Sequence, residues 1–179
     1  KIKGTNYKPF TYYGSNVAKY VIIAMGSVCE TIKETIDVLN ENGYEVGLVT
    51  VHLHRPFSPK YLKQVLPETV EKIAVLDRTK EHGSIGEPLY LDVKSVLTTV
   101  EVYGGRYGLS SKNTPPACIK AVYDFLKENP HHNFTVGIDD DVTNLSLKVD
   151  EDFKLENSKE LLIYGYGSDG MISASKSLI

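Results

Sequence analysis

Tryptophan is absent from this chain, and cysteine and methionine occur only twice each in 179 residues. Cys29 and Cys118 stand far apart with no CxxC spacing, which argues against a disulfide framework or a cysteine-built metal site. They read as core thiols of a reducing compartment. No apolar run approaches the roughly 18 residues that a membrane-spanning helix needs, and no signal-peptide pattern opens the chain. Charge of a single sign is missing too: 20 Lys and Arg stand against 23 Asp and Glu, a net of −3, dispersed along the sequence. That balance offers no polybasic surface to nucleic acid or to anionic lipid. What remains is a globular protein of the cytoplasm with a hydrophobic fraction of 41%, enough for one domain with a real core and an appendage.

From residue 20 onward the chain alternates between two periodicities. Tyr20 to Met25 is a continuous apolar run, as expected of a strand buried on both faces. Gly26 turns the chain, Ser27 with Glu30 fits a capping box, and Cys29, Ile32, Ile36 and Leu39 follow on one helical face. Gly43 stands where a helix-terminating glycine belongs. Val46 to Leu53 is a second strand. Ser58-Pro59 opens a helix with Leu62, Val65 and Leu66 inward. Ile73 to Leu76 is a third strand, and a long loop, Asp77 to Glu87, leads to a helix beginning at Pro88. Glu101 to Tyr103 reads as a fourth strand. Thr114-Pro115 caps a helix with Ile119, Val122, Phe125 and Leu126 inside, and Phe134 to Ile138 is a fifth strand. This alternation predicts an α/β fold: a mostly parallel, doubly wound sheet of about five strands in three α/β/α layers.

Both flanks differ in composition. Residues 1–19 are polar and tyrosine-rich and read as an irregular lead-in. Asp139 to Ser158 holds seven acidic residues and little apolar periodicity, which suits a surface connection. Leu161 to Tyr164 then reads as a short strand, followed by Gly165-x-Gly167-x-x-Gly170 and the start of a helix at Met171. A strand, a glycine turn and a helix N-terminus cradle an anion only when the rest of a sheet holds them. The expected organisation is a lead-in over 1–19, an α/β domain over 20–157 and the start of a further domain over 158–179. The chain lacks an initiating Met and stops soon after a helix starts, so it reads as a piece of something larger.

In open parallel sheets ligands bind beyond the carboxyl ends of the strands, which directs attention to four segments. Gly26-Ser27 lacks the several glycines of a dinucleotide or phosphate signature and reads as a plain turn. The run Asp77-Arg78-Thr79-Lys80-Glu81-His82-Gly83 could bind an anion or carry a general base; equally, its charges could orient one another or a neighbouring domain. The loop from Gly104 to Lys112 combines glycines with Arg106, Ser110 and Ser111, and either a ligand or another domain could approach it. Arg55-Pro56-Phe57 completes the set. Asp139-Asp140-Asp141 lacks the spacing of a calcium loop, and His131-His132 has no further ligand nearby to complete a metal set.

Several words in order carry a resemblance. Val21 to Thr31 (VIIAMGSVCET), Arg55-Pro56-Phe57, Ala74 to Glu81 (AVLDRTKE), Gly86 to Val93 (GEPLYLDV), Gly104 to Lys112 (GGRYGLSSK) and Phe134 to Thr143 (FTVGIDDDVT) together resemble the second domain of pyruvate:ferredoxin (flavodoxin) oxidoreductase. The resemblance runs from about residue 7 to residue 179. Gly165 to Gly170 is similar to the opening of that enzyme's third domain, where the following residues agree only at Ala174 and Lys176.

The resemblance implies a parent enzyme that is large, homodimeric and cytoplasmic, working in anaerobic metabolism. Such an enzyme oxidatively decarboxylates pyruvate on thiamine diphosphate with Mg²⁺. It passes electrons through [4Fe–4S] clusters to ferredoxin or flavodoxin and forms acetyl-CoA from CoA. It implies a second domain like the carboxy-terminal domain of transketolase-like enzymes. Thiamine and the clusters would sit in other domains of the parent chain, so no cofactor and no catalytic residue are expected on this piece. Its role would be architectural, and it would be inactive alone. Ser168, Asp169, Gly170 and Lys176, near CoA in the third domain, are the candidate ligand contacts. The competing readings are an independent anion- or nucleotide-binding α/β module, using Gly104 to Lys112 and Gly165 to Gly170, and a transketolase-type dehydrogenase subunit.

Overall fold

The computed structural model describes residues 7–139, 142–155, 163–166 and 170–178. Six strands form one sheet: β1 (Phe10–Gly14), β2 (Tyr20–Ala24), β3 (Val46–Val51), β4 (Lys72–Asp77), β5 (Glu101–Tyr107) and β6 (Phe134–Val136). Their spatial order is β1-β3-β2-β4-β5-β6. All neighbours pair in parallel except β1, which runs antiparallel to β3 with Phe10 opposite Val51 and Gly14 opposite Gly47.

Four helices cover the two faces: α1 (Val28–Glu41), α2 (Pro59–Val65), α3 (Pro88–Val96) and α4 (Pro116–Lys127). The pleat sends alternate residues of each central strand to opposite sides. Ile22, Leu48, Ala74 and Leu76 therefore pack with Ile32 and Ile36 of α1 and with Ile119, Val122 and Tyr123 of α4. Val21, Ile23, Val49, Ile73 and Val75 pack with Leu62 of α2 and with Leu89 and Val93 of α3. Two cores on one sheet make the three-layer, doubly wound architecture that the alternation predicts.

The helical faces agree with expectation: Cys29, Ile32, Ile36 and Leu39 are all buried on α1, and Gly43 takes the left-handed conformation (φ 78°) just past its end. The capping box is not formed. Ser27 is already in the helical region and makes no side-chain cap, while Glu30 pairs with Lys33 at 2.7 Å. Nor does Ser58 cap α2 through its side chain.

Residues 10–14, expected within an irregular lead-in, instead form edge strand β1. Phe10 is fully buried against the α2 side of the sheet, edge-on to Phe57 at 5.4 Å. The segment after β6, expected as a surface connection, also returns to the sheet. Thr135 donates its N–H to the Leu145 carbonyl at 2.9 Å and accepts from the Leu147 N–H at 2.8 Å. Leu147, Val149 and Phe153 lie partly buried against the α1–α4 core. Asp140, Asp141, Leu161 and Leu162 lie outside the described residues. Ile163 and Tyr164, expected as the end of a buried strand, are exposed and not in a strand. A helix, α5 (Met171–Leu178), does follow Gly170.

Candidate functional site

The five parallel strands run β3-β2-β4-β5-β6 across the sheet, so the direction of winding reverses between β2 and β4. Their carboxyl ends gather Gly26-Ser27, residues 52–58, residues 78–87 and residues 108–115, the place where an open α/β sheet ordinarily receives a ligand. Here the buried charged groups of that edge are engaged within the domain, while Lys80, Glu81 and Lys112 are exposed.

Asp77 ends β4 and is 2% exposed. Its two carboxylate oxygens accept the backbone N–H groups of Leu89 and Tyr90, each at 3.1 Å. These donors lie in the first turn of α3, where helical N–H groups have no partner within the helix. Glu87 occupies the N-cap position, yet its carboxylate makes no cap. It turns to Arg106 of β5, forming an ion pair between Oε1 and Nε. Arg106 also donates through its Nη2 to Asn133 Oδ1 at 3.2 Å. Burial, first of all, pushes the Asp77 carboxyl up from its ordinary value; the two N–H bonds oppose this and the Glu87 charge adds to it. Among the described residues, Glu87 Oε2 is a buried oxygen with no hydrogen-bond partner.

Beyond β3, Asp92 Oδ2 of α3 holds both His54 Nε2, at 2.8 Å, and Arg55 Nη2, at 2.9 Å. Phe57 lies edge-on to His54, and the Arg55–Pro56 bond is cis. The residue-78 side chain, Arg78, is exposed and its Nε donates to the Gly108 carbonyl at 3.2 Å. The expected acid–base run over residues 77–83 thus divides: Asp77 caps a helix, Arg78 braces the turn after β5, and Lys80 to Gly83 are exposed.

The glycine-rich segment is not the loop expected from its sequence. Gly104 to Tyr107 belong to β5. A Cβ on Gly105 would fall inside the ring of Phe134 on β6, and one on Gly104 would meet the rings of Tyr90 and His132 at 2.8 Å. These glycines make room for aromatic rings rather than for an anion. Gly108 and the residues after it do turn sharply, with positive φ at Gly108, Ser110 and Ser111.

A groove of about 1390 Å³ opens between the N-terminal turns of α1 and α4 and residues 144–155; Thr31, Asn113, Cys118, Gly137, Leu147 and Phe153 are among its walls. Nothing in the sequence singled it out, because it depends on how residues 144–155 fold back.

Of the candidate ligand contacts, Ser168 and Asp169 lie outside the described residues. Gly170 is exposed with φ 78°, and Lys176 lies on α5. Only part of this candidate set thus falls within the described residues. Cys29 and Cys118 are buried on α1 and α4 with their thiols pushed up by burial, which opposes the thiolate form that a cluster requires. Among the described residues no group of three or more His, Cys, Asp or Glu side chains could hold a metal ion. The residues present do not fit an iron–sulfur cluster held by four thiolates.

Residues 18–114, more than half of the chain, match the family described as pyruvate:ferredoxin oxidoreductase core domain II. The chain belongs to that family. It is 49% identical over 186 residues to a pyruvate-flavodoxin oxidoreductase of Enterobacter agglomerans, covering 99% of this chain and 16% of the relative. It is 48% identical to the pyruvate:ferredoxin oxidoreductase of Moorella thermoacetica, again over 99% and 16%. A mitochondrial pyruvate dehydrogenase [NADP(+)] of Euglena gracilis is 45% identical over 98% of this chain and 10% of its own length. Among solved structures, a 2-oxoglutarate:ferredoxin oxidoreductase from Magnetococcus marinus overlaps 68% of this chain and 20% of its own, with 20% identity and a TM-score of 0.49. The chain thus spans about a sixth of the length of the first two relatives.

Proposed function

We propose that this chain serves as the second core domain of an oxidoreductase that decarboxylates pyruvate to acetyl-CoA and passes electrons to ferredoxin or flavodoxin. The observation that carries the reading is identity near 49% sustained over 99% of the chain, joined to the family match over residues 18–114. Within such an enzyme its role is architectural. Asp77, Glu87, Arg106 and Asp92 all bond within the domain, so the buried charges of the carboxyl edge brace the fold, and the exposed ones, Lys80, Glu81 and Lys112, lie on its loops. Thiamine diphosphate, Mg²⁺, [4Fe–4S] clusters and CoA belong, on this reading, to other parts of a homodimeric enzyme in the cytoplasm. No step of the reaction is assigned to residues of this chain. No helix among the described residues is long and apolar enough to cross a membrane.

The loops at Arg55, residues 77–87 and residues 108–112 are the surface offered to neighbouring domains. Ile85 is 82% exposed on the second of these. The domain boundaries, near residue 157 and at Gly165 to Gly170, belong to the same reading, as does the proximity of Ser168, Asp169, Gly170 and Lys176 to CoA.

Three experiments test it. The chain alone, supplied with pyruvate, thiamine diphosphate, Mg²⁺ and CoA, is expected to reduce no low-potential acceptor, and turnover by the chain alone would overturn the proposal. Substituted for the matching segment of the Moorella enzyme, it is expected to retain pyruvate oxidation. A folded chimera with no activity counts against it. Micromolar binding of CoA, NAD or phosphate to the chain in calorimetric titration would favour an anion-binding module instead.

A further inference from the structure

His132 replaces a strand. Gly104 turns both of its main-chain groups toward β6, which has not yet begun at that level. Its carbonyl accepts the Asn133 N–H at 2.9 Å, as in a ladder. Its N–H, where a strand carbonyl would ordinarily sit, donates to His132 Nδ1 at 3.1 Å. The other ring nitrogen, Nε2, lies 2.8 Å from the Ile85 carbonyl. A carbonyl only accepts and an amide N–H only donates, so both contacts require the neutral ring with its proton on Nε2. The half-buried ring also stacks on Tyr90, with centroids 4.2 Å apart. One imidazole thereby ties β5, the start of β6 and the turn at residues 84–86, from which Ile85 projects into solvent.

We infer that His132 is a proton-operated latch: adding a proton at Nδ1 turns the acceptor for Gly104 into a donor, breaks that tie and loosens the Ile85 turn from β5. Imidazole is the side chain whose ordinary titration falls between about pH 5 and about pH 8. The groups facing the ring are few. Tyr90 of α3 contributes an aromatic face. Glu87, at the start of α3, is paired with Arg106 of β5, and Arg106 reaches Asn133 beside the ring. His131 places its Nδ1 3.2 Å from the His132 carbonyl, on the main chain rather than on the ring. None of these contacts puts a carboxylate on Nδ1 that would hold the added proton in place. The inference concerns the fold itself and does not depend on the enzyme proposed above.

Amide exchange followed by NMR on the chain tests it, read as the Gly104 protection factor so that the intrinsic pH dependence of exchange is removed. The wild type is expected to lose about tenfold in protection between about pH 8 and about pH 5. His132→Asn, whose Oδ1 occupies the place of Nδ1 and does not titrate there, is expected to hold its protection constant. His132→Phe keeps the stack and is expected to show the low value at both ends. Constant protection in the wild type, or a wild-type-like loss in His132→Asn, would overturn the latch. Nitrogen-15 shifts of the wild-type imidazole give a readout independent of any variant: Nδ1 must carry no proton near pH 8, and a protonated Nδ1 there would overturn it as well.

Discussion

Asp77 caps a helix that begins eleven residues after it: its Oδ1 accepts the Leu89 N–H at 3.1 Å, within the first turn of α3. The residue at the N-cap itself, Glu87, leaves that work undone. A carboxylate at a helix N-terminus gains from the helix dipole as well as from the hydrogen bonds. Asp77→Ala removes the acceptor and leaves the Leu89 and Tyr90 N–H groups buried without a partner. The expected loss is about 2–3 kcal/mol, measured by urea denaturation. Asp77→Asn, which keeps one acceptor, should lose less.

The same carboxyl gives a pH dependence with a definite sign. Burial raises its pKa above the ordinary 3.8, so the folded protein holds this proton to higher pH than the unfolded chain does. The folded state binds more protons in that window, and the contribution of Asp77 to stability is fully present below 3.8 and falls as pH rises through the raised value. The stability of the wild type relative to Asp77→Asn is therefore expected to decline over that interval. Denaturation midpoints of both proteins, taken at steps across the acid range, provide the check; a widening advantage for the wild type would contradict it.

The parallel strands were legible in the sequence because burial on both faces leaves an uninterrupted apolar run, as in Val21 to Ala24 and Ile73 to Leu76. The helix faces were legible because Ile32, Ile36 and Leu39 recur at helical spacing. β1 was not, since Phe10 to Gly14 (FTYYG) has no regular alternation, follows Pro9 and ends on a glycine, and becomes a strand only by pairing with β3, some 35 residues on. The trans-acting cap on α3 was hidden for the same reason: capping rules look a few residues away, and Asp77 belongs to a different element. Glycine punctuation misled at residues 104–105. What those positions share is a ring opposite each, and the rings come from Tyr90, His132 and Phe134.

That relation at Gly105 is directly testable. A methyl group there would enter the Phe134 ring, which is itself fully buried and packed on Phe125 with centroids 4.9 Å apart. Gly105→Ala is expected to cost about 1–3 kcal/mol through overpacking. Combining it with Phe134→Leu, which vacates the space, should recover part of the loss, giving a double variant more stable than the sum of the two single changes allows. Strict additivity would mean that the ring is not what excludes the methyl.

The Glu87–Arg106 pair separates an energetic role from a positioning one. Glu87 is 4% exposed, its Oε2 has no partner among the described residues, and Arg106 is the cation it faces. Removing one charge strands the other in a poorly solvated place, so Arg106→Met is expected to destabilise by about 3–5 kcal/mol. Removing both charges, in Glu87→Leu with Arg106→Met, leaves apolar groups of similar volume and no stranded charge. The double variant should therefore be more stable than Arg106→Met alone. If the pair matters mainly for position, the double variant will fold with near-normal stability while the 84–87 turn loses its fixed place, since Glu87 ties that turn to β5 alongside His132. Amide exchange at Ile85 and Gly86 reads the position, and denaturation reads the energy. A double variant less stable than Arg106→Met would make the ion pair a net source of stability, despite the orphaned oxygen beside it.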